Sequence, residues 1–282
     1  VISNVRNYMN TFHDAPFLKI NDRKILKEFL VKSGITDYRN KELTVNRVAQ
    51  AFSRIPYENL TKIIKSQIIV NADSAIRYPD EVIGDWLKWG TGGTCFSLAA
   101  AVIAVFDSLG IEAHPVLADR YYGVDTHCGL VIIRSEGLFL LDPGYLLFIP
   151  TLVPEEKTVV VDTGYNKIEL QPEENCRRIR LNTIVNNNRT YRLTYKIDPV
   201  DSITFYRAWI KSFTWEMMTY PVLTRCSAGT HQYLQGQRLS VRNNRGIQRT
   251  VLDTSSQIDF ISLNLGISKE IVNKAFGVLN YG

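Results

Sequence analysis

The sequence predicts an α+β chain with a helical opening, a middle section of antiparallel strands and a mixed tail. Three observations carry this. Apolar residues recur at helical spacing through about the first ninety residues, the period falls towards two from Ile111, and both periods return after about residue 200. Composition permits it: 45% apolar and 22% charged over 282 residues is ordinary for a chain with a real core, and it disfavours bulk disorder, collagenous repeats and coiled coils. The length suits two or three modest domains.

Taken in order, Ile25, Leu26, Phe29 and Leu30 form one apolar helical stripe, and Val45, Val48, Ala49 and Phe52 a second that Thr44 could cap. Asp80 to Trp89 predicts a short helix with Pro79 at its start. Residues 111–118, 127–134, 138–142, 158–163, 178–185 and 190–197 read as strands, with Ser135-Glu136-Gly137 and Asn186-Asn187-Asn188 as turns. Six short strands in succession predict a sandwich or small barrel. Residues 201–219 read as helical before Pro221, and 236–252 as a hairpin about Asn243-Asn244-Arg245-Gly246. The last thirty residues predict two short helices split near Gly266.

The opening VISNVRNYMN lacks the features of a secretory leader. The longest uncharged apolar run, Thr91 to Phe106, falls short of the ~20 residues needed to span a bilayer. Cys95, Cys128, Cys176 and Cys226 lie far apart with no Cys-x-x-Cys pair, so neither a zinc cluster nor a disulfide framework is expected, and a reducing cytoplasm is the expected location.

Thr91-Gly92-Gly93-Thr94-Cys95-Phe96 runs into an almost wholly apolar helix that stops at Gly110. A cysteine at a helix N-terminus faces unpaired backbone N–H groups and the positive end of the helix dipole, which favour thiolate over thiol. A small core residue beside a plain glycine turn fits the position as well. Residues 125–134 and 138–144 flank a tight turn and form a hairpin; a two- or four-residue loop sets Asp142 opposite Gly129, with His127 on the same face as a diagonal neighbour. In that register a carboxylate accepting Nδ1–H of His127 would leave Nε2 for the cysteine. A three-residue loop without a bulge would separate the two residues. Cys128 should point to the opposite strand face and serve packing. His13, His114 and His231 lack partner motifs, and Trp86, Trp89, Trp209 and Trp215 read as core or pocket wall.

Ile55-Pro56-Tyr57-Glu58-Asn59-Leu60, Gly92-Gly93-x-Cys95-Phe96, Thr126-His127, Asp142-x-Gly144-Tyr145, and Leu239 to Arg242 with Phe260 to Ile267 occur in an order and spacing that resemble the arylamine N-acetyltransferase family over nearly the whole chain. The resemblance implies a helical bundle at 1–110 carrying the nucleophile Cys95, an antiparallel β-barrel at 111–200 carrying the base His127 and its orienter Asp142, and an α/β lid at 201–282, with a cysteine-proteinase-like core. It implies ping-pong transfer of an acetyl or other acyl group from acetyl-CoA or another acyl-CoA to a small arylamine or hydrazine, without a metal, nucleic acid or membrane as partner. Departures from the family pattern are Thr91, Thr94, Ser97 and Ala99 in place of Arg, Tyr or Val, Glu and Asn, and Pro143 and Leu146 in the pocket loop. They imply one lost internal ion pair, with Glu58 left without its usual partner. An amide synthase with a carrier-bound acyl donor, transglutaminase- or protease-like chemistry, and a binding homologue without turnover are the competing readings.

Charge adds one local feature. Thirty-three lysines and arginines against twenty-eight acids leave +5, and the acid-free segment Met217 to Leu252 alone carries five arginines: Arg225, Arg238, Arg242, Arg245 and Arg249. A solvated basic hairpin explains them; so does a docking surface for the phosphates of coenzyme A. Nucleic acid is disfavoured because Tyr233 is their one aromatic neighbour for stacking.

Overall fold

A computed structural model describes residues 15–67, 72–173, 177–185, 188–243 and 245–279. His13, Cys176, Asn186, Asn187 and Asn244 lie outside them. The chain opens with helices α1 (Arg23–Lys32) and α2 (Lys41–Phe52). The Asp22 carboxylate accepts from the N–H groups of Lys24 and Ile25, and the Asn40 side chain from that of Leu43. Thr44 therefore lies inside α2, not at its start: Asn40 captures the free N–H groups one turn earlier. A two-residue strand, β1 (Tyr57–Glu58), precedes α3 (Leu60–Ser66). Helix α4 (Pro79–Trp89) starts on proline and ends at Gly90, whose φ of 71° suits a residue without Cβ. In α5 (Cys95–Ser108) every residue from Cys95 to Phe106 is buried, as its uniformly apolar sequence requires.

Eight strands follow: β2 (Ala113–Arg120), β3 (Gly123–Arg134), β4 (Gly137–Asp142), β5 (Leu147–Leu152), β6 (Val159–Asp162), β7 (Lys167–Glu173), β8 (Arg178–Val185) and β9 (Asn188–Lys196). They pair in the order β5-β4-β3-β2-β9-β8-β7-β6, all antiparallel, as a nearly closed barrel. Two of these, β5 and β7, add to the six read from the sequence. Alternation sorts their side chains. Val116, Val131 and Leu140 join the barrel interior, while Leu117, Leu130, Ile132 and Leu141 join the helical core around α5.

Helix α6 (Ser202–Lys211) is shorter than expected, because the chain continues as two 3₁₀ turns to Thr219. Strands β10 (Val222–Ser227), β11 (Thr230–Gln235), β12 (Arg238–Asn243) and β13 (Gly246–Val251) form a second sheet, whose first strand is β1. Residues 57–58, from the segment read as helical, thus stitch the helical region to this sheet. Leu223, Leu234 and Leu239 pack one face against α7 (Thr254–Asn264) and α8 (Lys269–Val278) through Ile261, Val272 and Phe276. The opposite face is half open. Among the described residues no helix is long and apolar enough to cross a membrane.

Candidate active site

The loop before α5 is fixed from below. The Glu58 N–H donates to the Gly93 carbonyl, and a Cβ at Gly92 would stand 1.8 Å from the Pro56 carbonyl oxygen, so only glycine fits. Asn59 fastens the end of β1 to the turn before β10 by donating to the carbonyls of Met217 and Tyr220 and accepting from the Val222 N–H. The ion pair expected to be lost is instead supplied from elsewhere. Buried Arg77 lies 3.7 Å from Glu58, pairs with Asp85 at 2.7 Å, and donates to the Thr61 hydroxyl and the Gly92 carbonyl. Glu58 also accepts from the Thr61 N–H and hydroxyl. Thr91 is left with a buried hydroxyl that has no hydrogen-bond partner among the described residues.

On the barrel, β3 and β4 turn through two residues, with Arg134 opposite Gly137 and Leu130 opposite Leu141. That is the register in which His127 and Asp142 share a face. His127 Nε2 lies 2.6 Å from Asp142 Oδ2; both residues are fully buried. The ring is turned end for end from the expected arrangement. Nε2 faces the carboxylate and Nδ1 the cysteine side, where it accepts from Arg120 Nη2 at 2.9 Å. An imidazole accepting at Nδ1 and donating at Nε2 is neutral. The carboxylate takes two further bonds, from the Tyr195 hydroxyl and the Tyr145 N–H.

Helix α5 and the barrel close on each other here. A Cβ at Gly144 would stand 2.6 Å from Cys95 Cβ and 3.1 Å from His127 Cε1, so this glycine lets the pocket loop lie directly on both. Leu146, at the end of that loop, has φ of 60°, a backbone conformation that costs a branched residue about 1–2 kcal/mol. Cys128 does point away from the His127 face, but the face it joins is the one covered by α5. Hydrogen bonding from Cys128 and His127, with the Arg120 charge, outweighs burial and holds Cys95 well below the ordinary thiol range, while burial keeps Cys128 a thiol. Burial opposes charging His127, but the Asp142 carboxylate and the Cys95 thiolate win, and its pKa is raised.

The sequence-predicted Cys95, His127 and Asp142 thus converge; Tyr145 enters from the motif that follows Asp142, Cys128, read as packing, also acts on Cys95, and Arg77, Arg120 and Tyr195 enter without individual sequence signals. So does Lys62. Its ammonium donates to the Ser212 carbonyl and hydroxyl and lies 4.3 Å from the Phe213 ring; desolvation brings its pKa down to about 7. Trp209 and Trp86 are core residues, and Trp215 lies beside Phe96. His231 bonds the Thr224 hydroxyl and stacks on Tyr165. Its burial lowers its pKa to about 4.

The five arginines separate by face. Register aligns Tyr57, Thr224, Tyr233, Ser240 and Arg249 in one row across the second sheet. Arg238 and Arg242 flank Ser240 at i±2 and share its face. Tyr233, Gln235, Arg238, Leu239, Ser240 and Arg249 line a cavity of about 400 Å³ there. Arg225 belongs to the helix-facing side and donates to the Leu265 carbonyl, and Arg245 sits in the exposed turn. Among the described residues no group of three His, Cys, Asp or Glu side chains could hold a metal.

Fold and site together define a class: an α+β chain that sets a helix-terminal cysteine against a His–Asp pair on a barrel rim. No protein-family model and no curated protein sequence matches the chain. Solved structures do. The arylamine N-acetyltransferase of Mycobacterium marinum in complex with CoA aligns at TM-score 0.76 and 15% identity, over 90% of this chain and 98% of that one. The Mycobacterium abscessus enzyme aligns at TM-score 0.74 and 17% identity, over 90% and 94%. A Bacillus cereus arylamine N-acetyltransferase with a Cys-His-Glu triad aligns at 0.67 and 17%, over 88% and 100%. This chain has the arylamine N-acetyltransferase fold, in a strongly diverged sequence.

Proposed function

We propose that the chain is a divergent acyltransferase that carries an acetyl or other acyl group from an acyl-CoA thioester, through a Cys95 acyl-enzyme, to a small amine. The observation that carries the reading is the meeting of Cys95, held towards thiolate, with a His127–Asp142 pair at 2.6 Å. Its context is a fold whose solved examples include an arylamine N-acetyltransferase in complex with CoA.

In the first half-reaction Nδ1 of His127 first takes up a proton in place of its bond from Arg120; the Cys95 thiolate attacks the thioester carbonyl, the carbonyl–sulfur bond to CoA breaks, and CoA leaves with that proton. Backbone N–H groups at the start of α5 face the developing oxyanion. In the second, the amine attacks the acyl-enzyme and gives a proton to His127 Nδ1, and Cys95 leaves as thiolate. Asp142 holds the ring by Nε2 throughout. The row from Tyr57 to Arg249, with Arg238 and Arg242 beside it, offers guanidinium donors to the CoA phosphates.

Intact mass after incubation with acetyl-CoA tests the reading. A gain of one acetyl group, absent from Cys95→Ala, is the expected result. No adduct with CoA thioesters but one with a carrier-linked acyl donor would make the protein an amide synthase. No adduct from either donor, with Cys95 still readily alkylated, overturns acyl transfer.

A further inference from the structure

The guanidinium of Arg120 is in an unusual position for a charge. It stands at the end of β2, where its Nη2 bonds His127 Nδ1 and its field acts on Cys95. It forms no salt bridge with a described carboxylate, and its Nε is buried without a hydrogen-bond partner. Around it are the hydroxyl-bearing rings of Tyr57, Tyr122 and Tyr145, with the Tyr122 ring 6.0 Å from the guanidinium carbon. Arg120 is half-buried, and an arginine partly withdrawn from water ordinarily has a carboxylate or phosphate to fill its fork. Here the fork is aimed at the place where an amine must arrive, because Nδ1 is the nitrogen that takes the amine's proton.

We infer that Arg120 is a specificity residue that binds a carboxylate on the acceptor, and that the preferred acceptor is a compact aromatic amino-carboxylate with amine and acid on neighbouring positions. The inference rests on the acyl-transfer reading above. The guanidinium reaches His127 at 2.9 Å, so a ligand that presents its nitrogen to Nδ1 and its acid to Arg120 must hold the two groups close together. An ortho-aminobenzoate does so; the para isomer sets a ring's length between them. On binding, the substrate nitrogen replaces Arg120 at Nδ1 and the carboxylate takes over the guanidinium. The ring then lies among the tyrosines, with that of Tyr145 edge-on to His127 at 6.3 Å. In the transfer step the acyl C–S bond to Cys95 breaks as the C–N bond forms, the amine proton passes to Nδ1, and the sulfur departs as thiolate. The carboxylate is unchanged.

Two measurements test this. In the first, 2-aminobenzoate and its neutral isostere 2-aminobenzamide compete in one tube for the acetyl-enzyme, so the product ratio is independent of how fast Cys95 is acylated. The acid is expected to win by about ten- to a hundred-fold, the range of a charge-assisted fork. Arg120→Gln should bring the ratio to about one, and Arg120→Lys should restore it in part. In the second, the intrinsic fluorescence of 2-aminobenzoate reports its binding to Cys95→Ala protein, which needs no acyl-enzyme. Binding should weaken at least ten-fold when Arg120→Gln is added. A wild-type ratio of one or below, or 2-aminobenzoate binding that is indifferent to Arg120→Gln, overturns the inference while leaving acyl transfer intact. Failure of Cys95 to acetylate, with Arg120-dependent binding retained, overturns the transfer reading and keeps the carboxylate site.

Discussion

The junction of α5 with the barrel and the open face of the second sheet are both polar, and they are built in opposite ways. At the junction nearly every charged or hydrogen-bonding group is buried and has several partners: Asp142 accepts three bonds, and Glu58 meets Arg77 and both donors of Thr61. On the sheet face Arg238 and Arg249 are exposed, and neither forms a salt bridge with a described carboxylate. The difference teaches where each kind of work is done. Positioning of a reactive sulfur needs groups that cannot move, whereas capture of a large flexible anion needs charges still free to turn towards it.

The largest expected effect is at the junction. Asp142→Ala removes the carboxylate that orients His127 and favours its charged form, so iodoacetamide alkylation of Cys95 near pH 7 should slow by about 100-fold or more. An unchanged rate would remove Asp142 from the mechanism. Of comparable size, and on stability instead of rate, is Arg77→Met. It strands Glu58 as a buried charge with one ionic partner fewer, and loss of one member of such a pair costs about 3–5 kcal/mol. Denaturant melts should show that loss, and Arg77→Met with Glu58→Gln should recover part of it. A double variant no more stable than the single one would show that Arg77 acts through the Gly92 carbonyl and Asp85 instead.

Lys62 gives a stability effect whose sign depends on pH. Its folded pKa of about 7 lies below that of an unfolded lysine, so between those values the unfolded chain binds the extra proton and folding stability rises with pH. At about 1.4 kcal/mol per unit, Lys62 should contribute about 2–3 kcal/mol of extra stability between pH 7 and pH 9. The stability difference between wild type and Lys62→Met, measured by urea at the two pH values, isolates that amount. A difference that does not change with pH would mean that Lys62 stays charged. Smaller again, Arg238→Glu with Arg242→Glu should raise KM for CoA thioesters about ten-fold and leave KM for the amine nearly unchanged, because charges at an exposed and a half-exposed position contribute about 1 kcal/mol or less each. Equal effects on both substrates would return these arginines to the role of a solvated surface.

The sequence made the junction legible and the sheet face less so, for physical reasons. Helix α5 is apolar all round and the strands flanking residues 135–137 are clear, so period made Cys95, His127 and Asp142 candidates; the family resemblance gave them roles, and the two-residue turn settled the register. The end-for-end orientation of the ring could not, because Arg120 sets it through a bond between neighbouring strands. Tyr195 is brought to Asp142 only by barrel closure between β2 and β9. Strand β5 escaped because Pro150 interrupts it, which is tolerated since β5 is an edge strand. Strands β10 and β11 carry Thr224, His231 and Gln235 on their half-open face, so they lack the clean apolar alternation that marked the barrel. Arg77 was invisible for a related reason: a guanidinium can reach the Glu58 site from a distant position, and no spacing rule links the two.

Cys128 tests the comparison on the packed side of the junction, because it is a neutral thiol acting on Cys95 beside the charged groups. A thiol is a weak donor, so the effect is the smallest of the five. Cys128→Ala removes one of the groups that favour the Cys95 thiolate and leaves His127 and Arg120 in place. The alkylation profile of Cys95 rises with pH as the thiolate forms. Losing a stabiliser of the charged form moves that rise to higher pH, so the variant should react more slowly below the midpoint and as fast as wild type above it. A uniform slowing at every pH would instead mean that Cys128 serves only to pack α5 on β3, and the junction would then owe its reactive sulfur to charge alone.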